Sequence, residues 1–276
     1  MKIQSDISFI GSGAMANAII GGLINKGVHP KYISASDKEK EKCNILEKKY
    51  GIQVSTSNTE IAENAEIIIF AVKPNSLKEV ASSVKRIINK NDSLIISIVA
   101  GVEIETINDW LGGNRKIIRC MPNTSTLINH GVTGMYAPKN IPLEKVEIAE
   151  NILSTVGSVH RIQNENLLDS ITAISGSGPA YFFLFLEILK STAEELDIDS
   201  KLAESLVIDT AYGAIKMAQK KEMSITELKK NVTSKGGTTE CALNVFKDKN
   251  LKYIMQEAVK AAYQKSQDIA KEYRKK

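Results

Sequence analysis

The chain has 276 residues, six prolines, 17 glycines and a hydrophobic fraction of 43%. That supports a packed core and about two domains at ~150 residues each, and it excludes disordered, collagen-like and linker-dominated chains. Lys and Arg number 36 against 32 Asp and Glu, but four of those bases sit in the last six residues, so the rest is close to neutral and carries no broad nucleic-acid footprint.

Short Ile- and Val-rich runs cover Ile7–Ile10, Tyr32–Ala35, Ile67–Val72, Leu94–Val99 and Lys116–Met121. Few polar residues interrupt them, as in parallel strands buried on both faces. Helical segments lie between them, at Ala14–Lys26, Lys38–Lys49 and Ser76–Asn89. Strand and helix in alternation predict βαβ units and a doubly wound sheet. Near Gly131 the alternation changes. Gly131–Ala137 reads as a strand with no long crossover before it, followed by a helix over Leu143–Val156 and a strand over Val159–Ile162. These late strands are expected at the sheet edge, with antiparallel pairing open. From about Asn164 only helical periodicity remains, over Asn166–Ile174, Pro179–Leu196, Lys201–Lys221, Ile225–Val232 and Leu251–Lys271. The expected class is α/β followed by all-α, with a sheet domain over 1–163 and a helical domain over 164–276.

Cys43, Cys120 and Cys241 are far apart and odd in number, which predicts free thiols in a reducing compartment. His29, His130 and His160 are equally scattered, so no metal site is expected. Asp6 and a glycine turn interrupt any signal-like start. The longest apolar stretch, Ala180–Leu186, ends at Glu187, far short of the ~20 residues of a membrane span. A soluble, cytoplasmic protein without a membrane partner is expected.

The first strand runs into Gly11-Ser12-Gly13-Ala14-Met15-Ala16, a G-x-G-x-x-A turn. Gly11 permits the tight turn, Gly13 lets backbone approach a pyrophosphate, and Ala16 keeps helix and strand close. A merely structural glycine turn is the alternative. The next strand ends in Ser34-Ala35-Ser36-Asp37-Lys38. Ser36 stands where an NAD site places an acid, and a hydroxyl with a nearby cation suits a 2′-phosphate. NADP(H) is therefore favoured. A small shift of register would make Asp37 a ribose ligand, so NAD(H) stays open. Further strand ends, Ala71-Val72-Lys73-Pro74, Ile98-Val99-Ala100-Gly101 and Met121-Pro122-Asn123-Thr124, should border the crevice, unless they are ordinary strand-to-helix turns.

Two clusters mark the helical half: Ser175-Gly176-Ser177-Gly178-Pro179-Ala180-Tyr181 and Val232-Thr233-Ser234-Lys235-Gly236-Gly237-Thr238-Thr239-Glu240. The second offers hydroxyls and backbone N–H groups at a helix start, either an anion nest or a well-capped interhelical turn. No G-x-S-x-G, H-E-x-x-H or Walker A motif occurs, and no histidine lies in a glycine-rich segment. Oxidising an alcohol generally needs a base, whereas reducing a protonated imine rests mainly on orientation. A substrate held by its carboxylate and touched by a Thr hydroxyl fits this inventory.

In order, the segments FIGSGAMA, AVKPN, SIVAGV, IRCMPNT, SGSGPAY and NVTSKGGTTECAL resemble pyrroline-5-carboxylate reductase across nearly the whole chain. The resemblance implies a Rossmann-like cofactor domain and NAD(P)H-dependent reduction of L-1-pyrroline-5-carboxylate to L-proline, the last step of proline synthesis. It places the pyrophosphate turn on Ile10, Gly11, Ser12, Gly13, Ala14 and Met15, the 2′-phosphate hydroxyl on Ser36, and a ribose- or adenine-side amide on Asn58. Nicotinamide-side contacts fall on Ala71, Val72, Lys73 and Pro74, and on Ile98, Val99 and Ala100. The substrate loop falls on Ser234, Gly236, Gly237, Thr238 and Thr239, with Thr239 as the residue touching the substrate nitrogen, and Glu222 matches an acid near the substrate in some members. The chain departs from the family pattern at Lys235, where Pro is usual, and at Ala14, where an amide is frequent.

The resemblance also implies homodimers through interleaved C-terminal helices, often assembled further into decamers. The helix over Tyr181–Leu196 is apolar nearly all round, as a subunit interface or the centre of a monomeric bundle would be. A β-hydroxyacid dehydrogenase would carry a Lys about four residues after its second-domain G-x-G, but Phe182 follows Gly176-Ser177-Gly178 at that distance and Lys190 is the next lysine. A non-catalytic redox sensor would need Gly11 and Gly13 but not the 234–239 loop.

Overall fold

The computed structural model describes residues 5–220 and 222–274. It divides into two units: residues up to Ser177 together with those from Ala262 onward, and Gly178–Ala261.

The first unit is built on β1 (Ile7–Ile10), α1 (Ala14–Asn25), β2 (Ile33–Ser36), α2 (Lys40–Tyr50), β3 (Gln53–Ser55), α3 (Asn58–Ala62), β4 (Ile67–Phe70), α4 (Pro74–Asn91), β5 (Leu94–Ser97), α5 (Ile104–Leu111) and β6 (Ile117–Met121). β7 (Gly131–Tyr136), α6 (Leu143–Leu153), β8 (Gly157–Ile162) and α7 (Leu167–Ile171) follow. One π-helical turn, Thr172–Gly176, then leads to α8 (Gly178–Glu195). The second unit holds α8, α9 (Ser200–Gln219), α10 (Ile225–Asn231), α11 (Thr238–Asp248) and the start of α12 (Leu251–Arg274). The expected end of α9 at Lys221 lies outside the described residues.

The eight strands form one sheet in the order β3-β2-β1-β4-β5-β6-β7-β8. β6 and β7 run antiparallel, and every other neighbouring pair is parallel, including β7 with β8. Pleating sends Ile67 and Ile69 to one face, against Ile19, Leu23 and Ile152. Ile68 and Phe70 go to the other face, against Leu77, Val84 and Ile107. Both faces are covered, so β1, β4 and β5 are buried at every position and read as mostly apolar runs, with Ser8 and Ser97 the polar exceptions.

Strand ends depart from the expected ones. β4 stops at Phe70 rather than Val72, and β5 at Ser97 rather than Val99, because the ladder ends there while the apolar run continues. β3, α3 and α5 were not expected, and α11 follows the helix start expected at the 232–240 segment. β3 is a three-residue edge strand and α3 has five residues, both too short to show a period. The α5 pattern, Ile104, Ile107 and Leu111, is helical but spans only two turns. Cys43, Cys120 and Cys241 carry no disulfide, and the first two are buried.

From Ala262 the last helix packs on the sheet unit. Ser266 Oγ donates to Asp169 Oδ1 at 2.6 Å, and both residues are buried. Ile269 covers Gly101, whose φ of +74° and lack of room for a Cβ together demand glycine. Tyr273 OH donates to Asn75 Oδ1, and Arg274 reaches both carboxylate oxygens of Glu103. The chain end is thereby stitched to the loop after β5 and to the start of α4. Ser266→Ala would leave the Asp169 carboxylate buried without its hydroxyl donor, a loss of about 1–3 kcal/mol. The fluorescence of Trp110, the sole tryptophan, should report a lower denaturant midpoint. An unchanged midpoint would show that this bond carries no stability.

Candidate active site

Gly11 turns the chain out of β1 with φ +101°. A Cβ there would lie 2.5 Å from the Ala71 carbonyl oxygen, so only glycine lets the two strand ends meet. Three backbone bonds lace those ends: Gly11 N–H to Ser36 O at 2.8 Å, Ala71 N–H to Ile10 O at 2.8 Å, and Ile98 N–H to Phe70 O at 3.1 Å. Gly13 is the N-cap of α1, with no side-chain cap and no acid in the first turn. Nothing lies within 4 Å of where its Cβ would be. The helix therefore opens on unspent N–H groups and free space, the arrangement that accepts a pyrophosphate.

A cavity of about 350 Å³ lies along these ends. Gly11, Gly13, Ser36, Asn58, Ala71, Val72 and Lys73 line it. The other expected residues do not. Ile10 is fully buried beneath the turn, and Ile98 and Val99 are buried after β5. Ala14 and Ala100 are exposed, Met15 and Pro74 half-buried. Ser12 is 6% exposed and is spent on Asp37.

Lining residues not singled out as ligands include Lys42, Ser76, Glu79, Val80 and Ser83. The last four fall at i, i+3, i+4 and i+7, one face of α4, so their common direction was legible from spacing alone. What they face was not.

At the end of β2, Ser36 Oγ donates to Asn58 Oδ1 at 2.7 Å, which leaves the two Asn58 N–H donors for other partners. Asp37 turns the other way. Its Oδ2 accepts from Ser12 N–H at 3.0 Å and from Ser12 Oγ at 3.1 Å, and its Oδ1 accepts from Glu39 N–H at 3.1 Å. Burial pushes its carboxyl pKa up, but these donors and the Lys42 charge outweigh burial, and the net shift is downward. Lys42 also pairs with Glu39 at 2.6 Å.

The loop after β5 is held from below. Glu165 Oε1 accepts from Ile104 N–H and from Arg119 Nη1, each at 2.9 Å. Asn123, in the turn after β6, accepts from Val132 N–H at 3.0 Å and donates to Ser175 O at 3.1 Å. That bond joins the MPNT and SGSG segments.

In the helical unit, Ser234, Gly236 and Gly237 lie in the turn before α11, and Thr238 and Thr239 are its first two residues. Gly237 N–H donates to Ser234 O at 3.0 Å, and Glu240 Oε2 accepts from Gly236 N–H at 2.8 Å. Gly237 caps α11 with no side-chain bond. The segment is thus a tied interhelical turn and an uncapped helix start at once. Ser234 and Thr238 are exposed, Thr239 half-buried. Glu222 is exposed on a separate turn, before α10.

Residues 165–269 match the family described as pyrroline-5-carboxylate reductase dimerisation, and residues 6–101 match NADP oxidoreductase, coenzyme F420-dependent. The pyrroline-5-carboxylate reductase of Pseudomonas aeruginosa is 37% identical over 266 residues, covering 96% of this chain and 97% of that one. The chain belongs to the pyrroline-5-carboxylate reductase family. A pyrroline-5-carboxylate reductase structure from Coxiella burnetii superposes with a TM-score of 0.92 at 36% identity, over 97% of this chain and 99% of that one. The Plasmodium falciparum pyrroline carboxylate reductase, solved with NADP bound, gives 0.86 at 30% identity, over 97% and 98%.

In this member of the reductase family, Glu103 joins the loop after β5 to the chain end. The Arg274 guanidinium holds its carboxyl pKa below the usual range, against burial that pushes it up, with further help from the Arg119 charge. A lowered folded-state value adds stability above the ordinary carboxylate pKa, and the gain is lost as pH falls through the folded value. Glu103→Gln should therefore be less stable than wild type near neutrality, with the gap closing as pH falls through the carboxylate range. Denaturant midpoints against pH would show this, and a gap independent of pH would sink the account.

Proposed function

We propose that this chain reduces L-1-pyrroline-5-carboxylate to L-proline with NADPH, NADH serving less well, as the final step of proline synthesis. The observation that carries the reading is the cradle of Gly11 and Gly13 at an uncapped helix start, in a chain related to these reductases over nearly its full length. The residues fit a phosphorylated dinucleotide. Backbone N–H groups of Gly13, Ala14 and Met15 hold the pyrophosphate, with Ile10 anchoring the turn beneath and Gly11 and Ser12 shaping it through N–H groups already bonded to Ser36 and Asp37. Ser36, Asn58 and Lys38 take the 2′-phosphate end. Ala71, Val72, Lys73 and Pro74, with Ile98, Val99 and Ala100, border the nicotinamide. NADPH supplies the hydride when bound.

The substrate is a small cyclic imine bearing a carboxylate. N–H groups and hydroxyls of Ser234, Gly236, Gly237 and Thr238 hold that carboxylate at the start of α11, where the helix favours negative charge. Thr239 Oγ1 hydrogen-bonds the ring nitrogen and keeps the C=N bond oriented, so the protonated nitrogen takes up the electron pair as the carbon gains hydride. Glu222 adds an acid near the cationic ring.

Cofactor work belongs to 1–163, and substrate binding with dimerisation to 164–276. α8 exposes Phe182, Phe183, Leu184, Ile188 and Leu189, and α9 exposes Leu206, Ile208, Tyr212 and Ile215. The helical stretch Leu167–Glu195 is long and apolar enough to cross a membrane, which Ala180–Leu186 alone is not. Covering by a second copy accounts for this surface, and the dimerisation family match over 165–269 supports it. The reading is a cytoplasmic homodimer, with dimers able to assemble into a decamer.

Pyrroline-5-carboxylate should accelerate oxidation of NADPH by the purified protein, and of NADH more slowly. Absence of turnover with both nucleotides would overturn the assignment. Thr239→Val should lower kcat by about 10²-fold, the order seen when one positioned donor is removed, with NADPH affinity nearly unchanged. An unaltered kcat would remove Thr239 from the mechanism.

A further inference from the structure

We propose that Ser12 is a specificity-determining residue: it holds the Asp37 carboxylate on the glycine turn, away from the ribose 2′-position, and so leaves that position to a phosphate. The proposal rests on reading the cavity as an NADP(H) site.

An acid just past the second strand of such a sheet ordinarily accepts the ribose 2′-hydroxyl and favours NAD. Asp37 stands just past β2, whose last residue, Ser36, pairs with Ile10. It lines the cavity beside Lys38. On position alone it would select against a 2′-phosphate. Its geometry tells otherwise. A carboxylate has about four acceptor sites, and here three are filled, two by Ser12 and one by Glu39 N–H. Ser12 is 6% exposed, so water competes little for its hydroxyl. The bond is charge-assisted, the stronger kind.

The charges follow the same logic. Two acids, Asp37 and Glu39, face two bases, Lys38 and Lys42, along this wall. Glu39 is paired with Lys42. With Asp37 compensated by Ser12, Lys38 is left without an ion-pair partner among the described residues. It is then a cation available to a 2′-phosphate on this wall. Without the Ser12 hydroxyl, Asp37 keeps only its two backbone bonds, from Ser12 N–H and Glu39 N–H, is freer to swing towards the ribose, and repels a phosphate there.

The test is titration of wild type and variants with NADPH and with NADH, substrate absent, reading the nucleotide fluorescence. The ratio of the two Kd values is compared, because partial unfolding scales both alike. Ser12→Ala should shift the ratio about tenfold towards NADH, the order for losing one hydrogen bond to a charged group. Ser12→Thr, which keeps the hydroxyl, should retain the wild-type ratio. Asp37→Asn should tighten NADPH binding, and adding Ser12→Ala to it should shift nothing further. An unchanged ratio in Ser12→Ala, or an equal shift in the Asp37→Asn background, overturns the proposal while leaving the cofactor reading intact. Failure of wild type to bind either nucleotide overturns both.

Discussion

The close approach of Gly11 to the Ala71 carbonyl is the constraint on which the cofactor half depends. With no side chain at Gly11, β1 and β4 end side by side, and the backbone bonds among Gly11, Ser36, Ile10 and Ala71 close the gap. The same turn aims the α1 N-terminus outward over Gly13. Sheet burial alone would not place a crevice there. The two covered faces supply stability, but the missing Cβ supplies the position.

A second constraint comes from the far end of the chain. Ser266, Ile269, Tyr273 and Arg274 reach Asp169, Gly101, Asn75 and Glu103. These contacts differ in kind. Arg274 is 58% exposed, so its pair with Glu103 adds a modest, partly screened share of stability. The buried Ser266–Asp169 bond and the packing of Tyr273 into the second core carry more of it. Their combined effect is to fix both the loop after β5 and the Lys73-Pro74-Asn75 turn, the latter carrying Lys73 of the cavity wall. Nothing in local sequence pattern foretells bonds that span most of the chain.

Legibility followed the same division. Strand interiors were readable, because burial on both faces forces runs such as Ile67–Phe70. Strand ends were not, since Ala71 and Val72 are as apolar as what precedes them and only the ladder decides where pairing stops. The G-x-G-x-x-A turn was readable because glycine positions answer to backbone geometry. The choice between Ser36 and Asp37 was not. Ser36 closes the strand and Asp37 comes next, and a hydrogen bond from Ser12, twenty-five positions before Asp37, sets which way that acid faces. Lys42 and the α4 wall went unnoticed for a related reason: periodicity says which residues share a face, not what that face meets.

Two turns far apart in sequence use one device. α1 and α11 each begin at a glycine N-cap with no side-chain bond to the first N–H groups. Each also has a carboxylate close by that ought to repel an anion, Asp37 at the first and Glu240 at the second. In both places that carboxylate accepts a backbone N–H of the same turn, Ser12 for Asp37 and Gly236 for Glu240. The negative charge is bonded locally and shapes the loop, while the helix N–H groups stay unspent. A helix start built this way offers its first N–H groups without a fixed cation, because the turn's own acid bonds the loop and leaves the helix start uncapped. That accounts for a reductase whose glycine segments contain no histidine and, apart from Lys235, no base.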